Sequence, residues 1–148
     1  TLSSDPVASG ISGATWASGG TANTARKQLS GAGIQTAGVV FGGRQSPTAG
    51  YALTEEYDGS SWTAGGALNT TRFAGGGFGA TNTAAVIAGG SRSPGSGAGA
   101  ETETYNGTAF TETTDLNTAR KDAGSGDFPV GFTIKITKMV SPRSRGSQ

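Results

Sequence analysis

The sequence repeats itself, and that repetition limits its possible folds more than any other feature. Around Trp16 it reads TWASGGTANTARKQLSGAGIQTAGVVFGG, and around Trp62 it reads SWTAGGALNTTRFAGGGFGATNTAAVIAGG. A third copy opens as AFTETTDLNTARKDAGSG around Phe110. Trp16, Trp62 and Phe110 are separated by steps of 46 and 48 residues, and Arg26, Arg72 and Arg120 keep the same steps. A period between about 20 and 50 residues marks a chain built by stacking one small unit on the next, each burying its apolar face against a neighbour. The aromatic-to-arginine distance is ten residues in every copy, so that stretch tolerates no change in length. From arginine to the second glycine of the pairs Gly42-Gly43 and Gly89-Gly90 the distance is 17 and then 18 residues. From that glycine to Tyr57 or Tyr105 it is 14 and then 15. Length changes of this kind are expected in the connections, where they cost little.

Local chemistry says what the unit is made of. The chain has 27 glycines among 148 residues, with 33% hydrophobic and 14% charged residues. Such a composition packs if the backbone is paired into sheets, because β ladders satisfy the peptide groups and let small side chains approach closely. The apolar runs 37–41 and 84–88 are each closed by Gly-Gly and preceded by a glycine-rich stretch that predicts an inner strand. Strands 53–57 and 102–105 lead into Asp58-Gly59 and Asn106-Gly107, which predict two-residue type I′ turns with positive φ at both central residues. A last strand carries Trp62 or Phe110. The expectation is all-β, with four short strands per copy.

This series resembles the kelch repeat. The matching residues run from Val39-Val40-Phe41-Gly42-Gly43 through Glu56-Tyr57-Asp58-Gly59 to Trp62, and from Val86-Ile87-Ala88-Gly89-Gly90 through Tyr105-Asn106-Gly107 to Phe110. They cover roughly residues 8–126. The resemblance implies a β-propeller of about three four-stranded blades over residues 1–140. These are an outer half-blade 5–22, blades 28–66 and 74–114, and an inner half-blade 123–140, followed by a basic, flexible tail at 141–148. Ile11-Ser12-Gly13 and Trp16 align with Tyr57-Asp58-Gly59 and Trp62, so the two half-blades are candidates to complete each other. Propellers close with about four to eight blades, so the expected partner is the chain itself, as a dimer with six blades.

The Leu-Asn-Thr-Ala-Arg and Gly-Ala-Gly segments are similar to the Gly-, Ala-, Thr- and Asn-rich kelch-like repeats of phage virion structural proteins. That similarity implies a non-catalytic structural or host-recognition (adhesin) module, in a virion or outside the cell, touching host surface glycan or other virion proteins. The alternative is a cellular kelch-type protein–protein interaction module in the cytoplasm. A glycan-active enzyme is a distant third.

Residues that recur in every copy are expected to solve a packing problem shared by all copies. Trp16, Trp62 and Phe110 are expected between blades, with Gly42, Gly43, Gly89, Gly90, Tyr57 and Tyr105 as further structural positions. Arg26, Arg72 and Arg120 could ring a carboxylate, phosphate or sulfated sugar. The preferred reading pairs each with an acid or loop carbonyls of a neighbouring blade. Ligand contact is expected instead from the variable loops 44–52 and 91–100, through Arg44, Gln45, Tyr51 and Arg92.

Catalysis finds little support. The sequence contains no histidine and no cysteine, which removes Ser-His-Asp and Cys-His units and most transition-metal sites. Glu101 and Glu103, with Glu55 and Glu56 at the matching place, are read as edge-strand charges and not as a glycosidase pair. No catalytic residue, metal or cofactor is expected. A net charge of +1 gives no field that would hold nucleic acid, and no apolar run is long enough for membrane insertion as a helix.

Overall fold

The computed structural model describes residues 19–47, 49–95 and 97–123. Trp16, most of the half-blade 5–22, nearly all of 123–140 and the tail 141–148 lie outside the described residues. Every regular element among those described is a β-strand. The first sheet is built from β1 (Ser30–Ile34), β2 (Ala37–Phe41), β3 (Thr54–Tyr57) and β4 (Trp62–Ala64), hydrogen-bonded in chain order. A short pair follows, β5 (Arg72–Phe73) with β8 (Ser91–Arg92). The second sheet is formed by β6 (Gly76–Thr81), β7 (Ala84–Ala88), β9 (Thr102–Tyr105) and β10 (Phe110–Glu112), again in chain order. All neighbouring strands are antiparallel.

The two sheets keep one register. Ser30 faces Phe41 in the first and Gly76 faces Ala88 in the second, while Tyr57 pairs with Trp62 as Tyr105 pairs with Phe110. The extra residue between arginine and Gly-Gly in the second copy does not fall in a connection, as the sequence suggested. It sits in β6, where the register shifts between Gly79 and Thr81. Gly79 there has φ +152°, and a β-bulge absorbs one residue without moving either end of the strand.

The hairpins also differ from the sequence expectation. Residues 58–61 and 106–109 form four-residue connections in which φ is positive at Gly59 and Gly107 but not at Asp58 or Asn106. The Asp58 carboxylate accepts from the Ser60 and Ser61 amides at 2.8 Å. The Asn106 side-chain oxygen accepts from the Thr108 and Ala109 amides at 2.9 Å. Those Asx-type bonds hold the first residue in an ordinary conformation and leave the left-handed one to glycine.

The core lies between the sheets. Val39 and Phe41 of β2 meet Ala85 and Ile87 of β7, closed by Leu68, Tyr105 and Phe110. Phe41 and Phe110 pack edge to face with ring centres 5.7 Å apart. Few large side chains suffice because the inner strands meet backbone to backbone. A Cβ on Gly77 would stand 2.7 Å from the Gly31 carbonyl oxygen, and the Ser30 hydroxyl donates to the Gly75 carbonyl at 2.7 Å.

Candidate functional site

The recurring arginine is the centre of a joint between successive sheets. Along its backbone, Arg72 in β5 also meets the connection between β2 and β3: its carbonyl accepts from the Gly43 amide at 3.1 Å, and it bridges to Tyr51. Gly42 has φ +64°, and a Cβ there would lie 2.6 Å from the Arg72 carbonyl oxygen, so only glycine fits where the two segments cross. The Arg72 side chain enters the second sheet. Its guanidinium is ion-paired with Glu103 and donates to the carbonyls of Gly89, at 3.2 Å, and Glu101. Both charged side chains are buried.

The glutamate is held from the other side by backbone. The amides of Asn69 and Thr70 donate to the Glu103 carboxylate at 2.8 and 3.2 Å. The Asn69 side chain also ties the joint to the Phe110 carbonyl at 3.1 Å. The first copy repeats this arrangement. Asn23 and Thr24 donate to Glu55 at 2.6 and 3.2 Å, Asn23 reaches the Trp62 carbonyl at 3.1 Å, and Arg26 lies 3.1 Å from Glu55. Burial lowers the Arg26 pKa, an effect only partly offset by the Glu55 and Tyr51 charges. Glu55 and Glu103 are therefore not edge charges: β3 and β9 are interior strands, and both carboxylates are consumed by this clasp.

The sequence held a signal for them, since each stands two residues before the recurring tyrosine and 48 residues from its counterpart. Pairing Glu101 with Glu103 by proximity hid it. Asn69 also matches a glycosylation sequon, but its amide nitrogen is already spent on Glu103 and Phe110.

Glu56 is a second residue that sequence reasoning missed. It crosses between sheets, accepting from the Asn82 side chain at 2.8 Å and from the Tyr105 hydroxyl. Thr104 occupies its place in the second copy, so no repeat pattern announces it. The Tyr105 hydroxyl also accepts from the Gly66 amide at 3.1 Å. Burial and the Glu56 hydrogen bond push its pKa up to about 12. Trp62 is half-buried, with its indole N–H on the Gly20 carbonyl at 2.8 Å and its ring 4.8 Å from Tyr57. Phe110 is buried and stacks on Tyr105 at 4.5 Å.

Arg44, Gln45, Tyr51 and Arg92 gather where β2–β3 and β7–β9 are connected. The two connections touch, with the Gly50 amide donating to the Ser93 hydroxyl at 2.7 Å. Tyr51 donates to Gln45 at 3.1 Å. The Arg44 guanidinium lies 4.3 Å over the Phe73 ring and donates to Gln28 and to the Pro47 carbonyl. Arg92 pairs with Glu101 and remains 60% exposed, so it has surface to offer a partner. Burial opposes ionisation of Glu101, but its own backbone amide and Arg92 outweigh that and hold its pKa below the usual range. Exposed Lys27 bridges to Arg44, which makes this rim basic.

Among the described residues no cluster of three or more acidic, histidine or cysteine side chains is placed to hold a metal. Compared with known proteins, the sequence matches no family model and no curated protein.

Proposed function

We propose that the chain is a non-catalytic β-propeller module of kelch-like repeats, serving as a structural or host-recognition component of a virion. The observation that carries this reading is the joint itself. Two four-stranded sheets of identical strand order are linked by one arginine clasp, with their glycine-rich inner strands β1 and β6 in close approach. A unit that hands each sheet to the next in this way is suited to fanning sheets about an axis. In this reading three blades per chain leave an open ring, and two chains close it at six.

Recognition is assigned to the basic rim, where Arg44, Gln45, Tyr51 and Arg92 combine hydrogen-bonding groups with one aromatic face, a chemistry suited to host surface glycan. Light scattering tests the ring: a mass of twice the chain supports it, and a lone monomer removes it. Glycan-array binding by the wild type that is lost on Arg92→Ala and Tyr51→Ala, with folding retained, supports recognition at the rim. Binding to no surface sugar removes the glycan role and leaves scaffolding.

A further inference from the structure

The repeat sets two turns side by side that differ in one chemical group. Asp58-Gly59 carries a carboxylate before glycine, and Asn106-Gly107 carries the corresponding amide. Their geometry is the same: in each four-residue connection the side-chain oxygen accepts from the backbone amides two and three positions on.

Asn106 also stands apart from the other asparagines. Asn23, Asn69, Asn82 and Asn117 each precede threonine, whose branched side chain crowds the peptide nitrogen that follows the asparagine. Glycine has no Cβ and leaves that nitrogen open to close approach. The side-chain nitrogens of Asn23, Asn69 and Asn82 are engaged, by the Trp62 carbonyl, by Glu103 and the Phe110 carbonyl, and by Glu56. Among the described residues neither the Asn106 side-chain nitrogen nor the Gly107 amide has an acceptor, and Asn106 is exposed.

We propose that Asn106 is a site of spontaneous modification in the folded protein, where the Gly107 nitrogen attacks the Asn106 side chain and a cyclic imide then hydrolyses to an aspartyl residue. The bond from the Thr108 amide to the Asn106 side-chain oxygen closes a ring around the Asn106–Gly107 peptide, which turns Cγ towards the nitrogen that must reach it. The Thr108 and Ala109 amides point at the oxygen on which negative charge gathers as that nitrogen adds, as in an oxyanion hole. The Gly107 nitrogen gives its proton to hydroxide and the N–Cγ bond forms. The Cγ–Nδ2 bond breaks, and Nδ2 takes a proton from water and leaves as ammonia. Water then opens the imide at Cγ to give aspartate, or at the main-chain carbonyl to give its iso form, and nothing is oxidised or reduced. Aspartate suits the turn, since Asp58 already occupies the matching place with the same two bonds. Asp58 itself is protected, because cyclisation needs a neutral carboxyl and the Ser61 and Ser60 amides hold this one ionised. The proposal rests on the turn alone and holds whether or not the ring closes.

The test keeps the full chain folded in mildly alkaline buffer and, in parallel, unfolded in urea, while peptide mass spectrometry follows the exchange of NH2 for OH. In the folded chain the gain is expected at Asn106 before any other asparagine, at a rate within about tenfold of that in urea. A slower rate, or a first gain at another asparagine, overturns the proposal. Asp58→Asn places the same pair in the matching turn and should add a second gain at that position; none there, in a chain that stays folded, overturns the role of the turn. The rate comparison uses the unaltered chain, so it decides the matter even if the variant unfolds.

Discussion

The two clasps share their backbone contacts and differ in what the guanidinium finds. Arg72 reaches a carboxylate and two carbonyls. Arg26 is as deeply buried and lies near Glu55, but its side-chain nitrogens make no hydrogen bond. The outer aromatic pairs differ in the same direction: Tyr105 and Phe110 are buried against the first sheet, while Tyr57 and Trp62 are half-buried. A repeat thus fixes where a residue sits along the chain, and the sheet packed against it decides how much that residue contributes. Burying a charge without hydrogen bonds is costly, whereas a buried pair that is hydrogen-bonded is expensive to break.

That contrast is open to direct attack by urea unfolding. Arg72→Ala should lose about 3–5 kcal/mol, because it strands Glu103 in the interior. Arg26→Ala should lose about 1–2 kcal/mol, since the Arg26 guanidinium makes no hydrogen bond that the change would remove. Equal losses would mean that the extra carbonyl bonds of Arg72 add nothing. Phe110→Ala should cost about 3–4 kcal/mol as a buried large-to-small change. Trp62→Ala should cost about half as much, in keeping with partial burial.

A smaller effect is predicted in alkali. Tyr105 has its pKa raised from 10.0 to about 12, so the folded state holds the proton more tightly than the unfolded one. Its contribution is full below about pH 10 and is lost as pH rises towards 12. Tyr105→Phe should flatten the stability profile in that window. An unchanged slope would show that Glu56 and burial do not hold the hydroxyl.

The smallest effect should come from the turns. Asp58 is held well below the usual carboxylate range by the Ser61 and Ser60 amides, so its support is present above about pH 4 and fades as pH falls through the lowered value. Asn106 makes the equivalent bonds without a charge. Asp58→Asn should therefore keep the turn and remove that part of the acid dependence.

Much of this was legible in the sequence because the repeat compares the chain with itself. The strands around 37–41, 84–88 and 102–105, their order and the glycine pairs follow from spacing and turn residues. The clasp was half legible. Arg72 and Gly42 keep the period because one segment crosses the other, but the period alone does not say that they touch. Glu56 was not legible, since it occurs in one copy and its partners Asn82 and Tyr105 arrive from the other sheet. The bulge in β6 was misplaced for a related reason: a length difference between copies has no address until the register is known.

The central claim is that the arginine joins one sheet to the next through the glutamate. A double-mutant cycle of Arg72→Met and Glu103→Gln, read by urea unfolding, tests it most directly. The account predicts a coupling of about 2 kcal/mol or more, with the double variant little worse than either single one. Losses that simply add would contradict it.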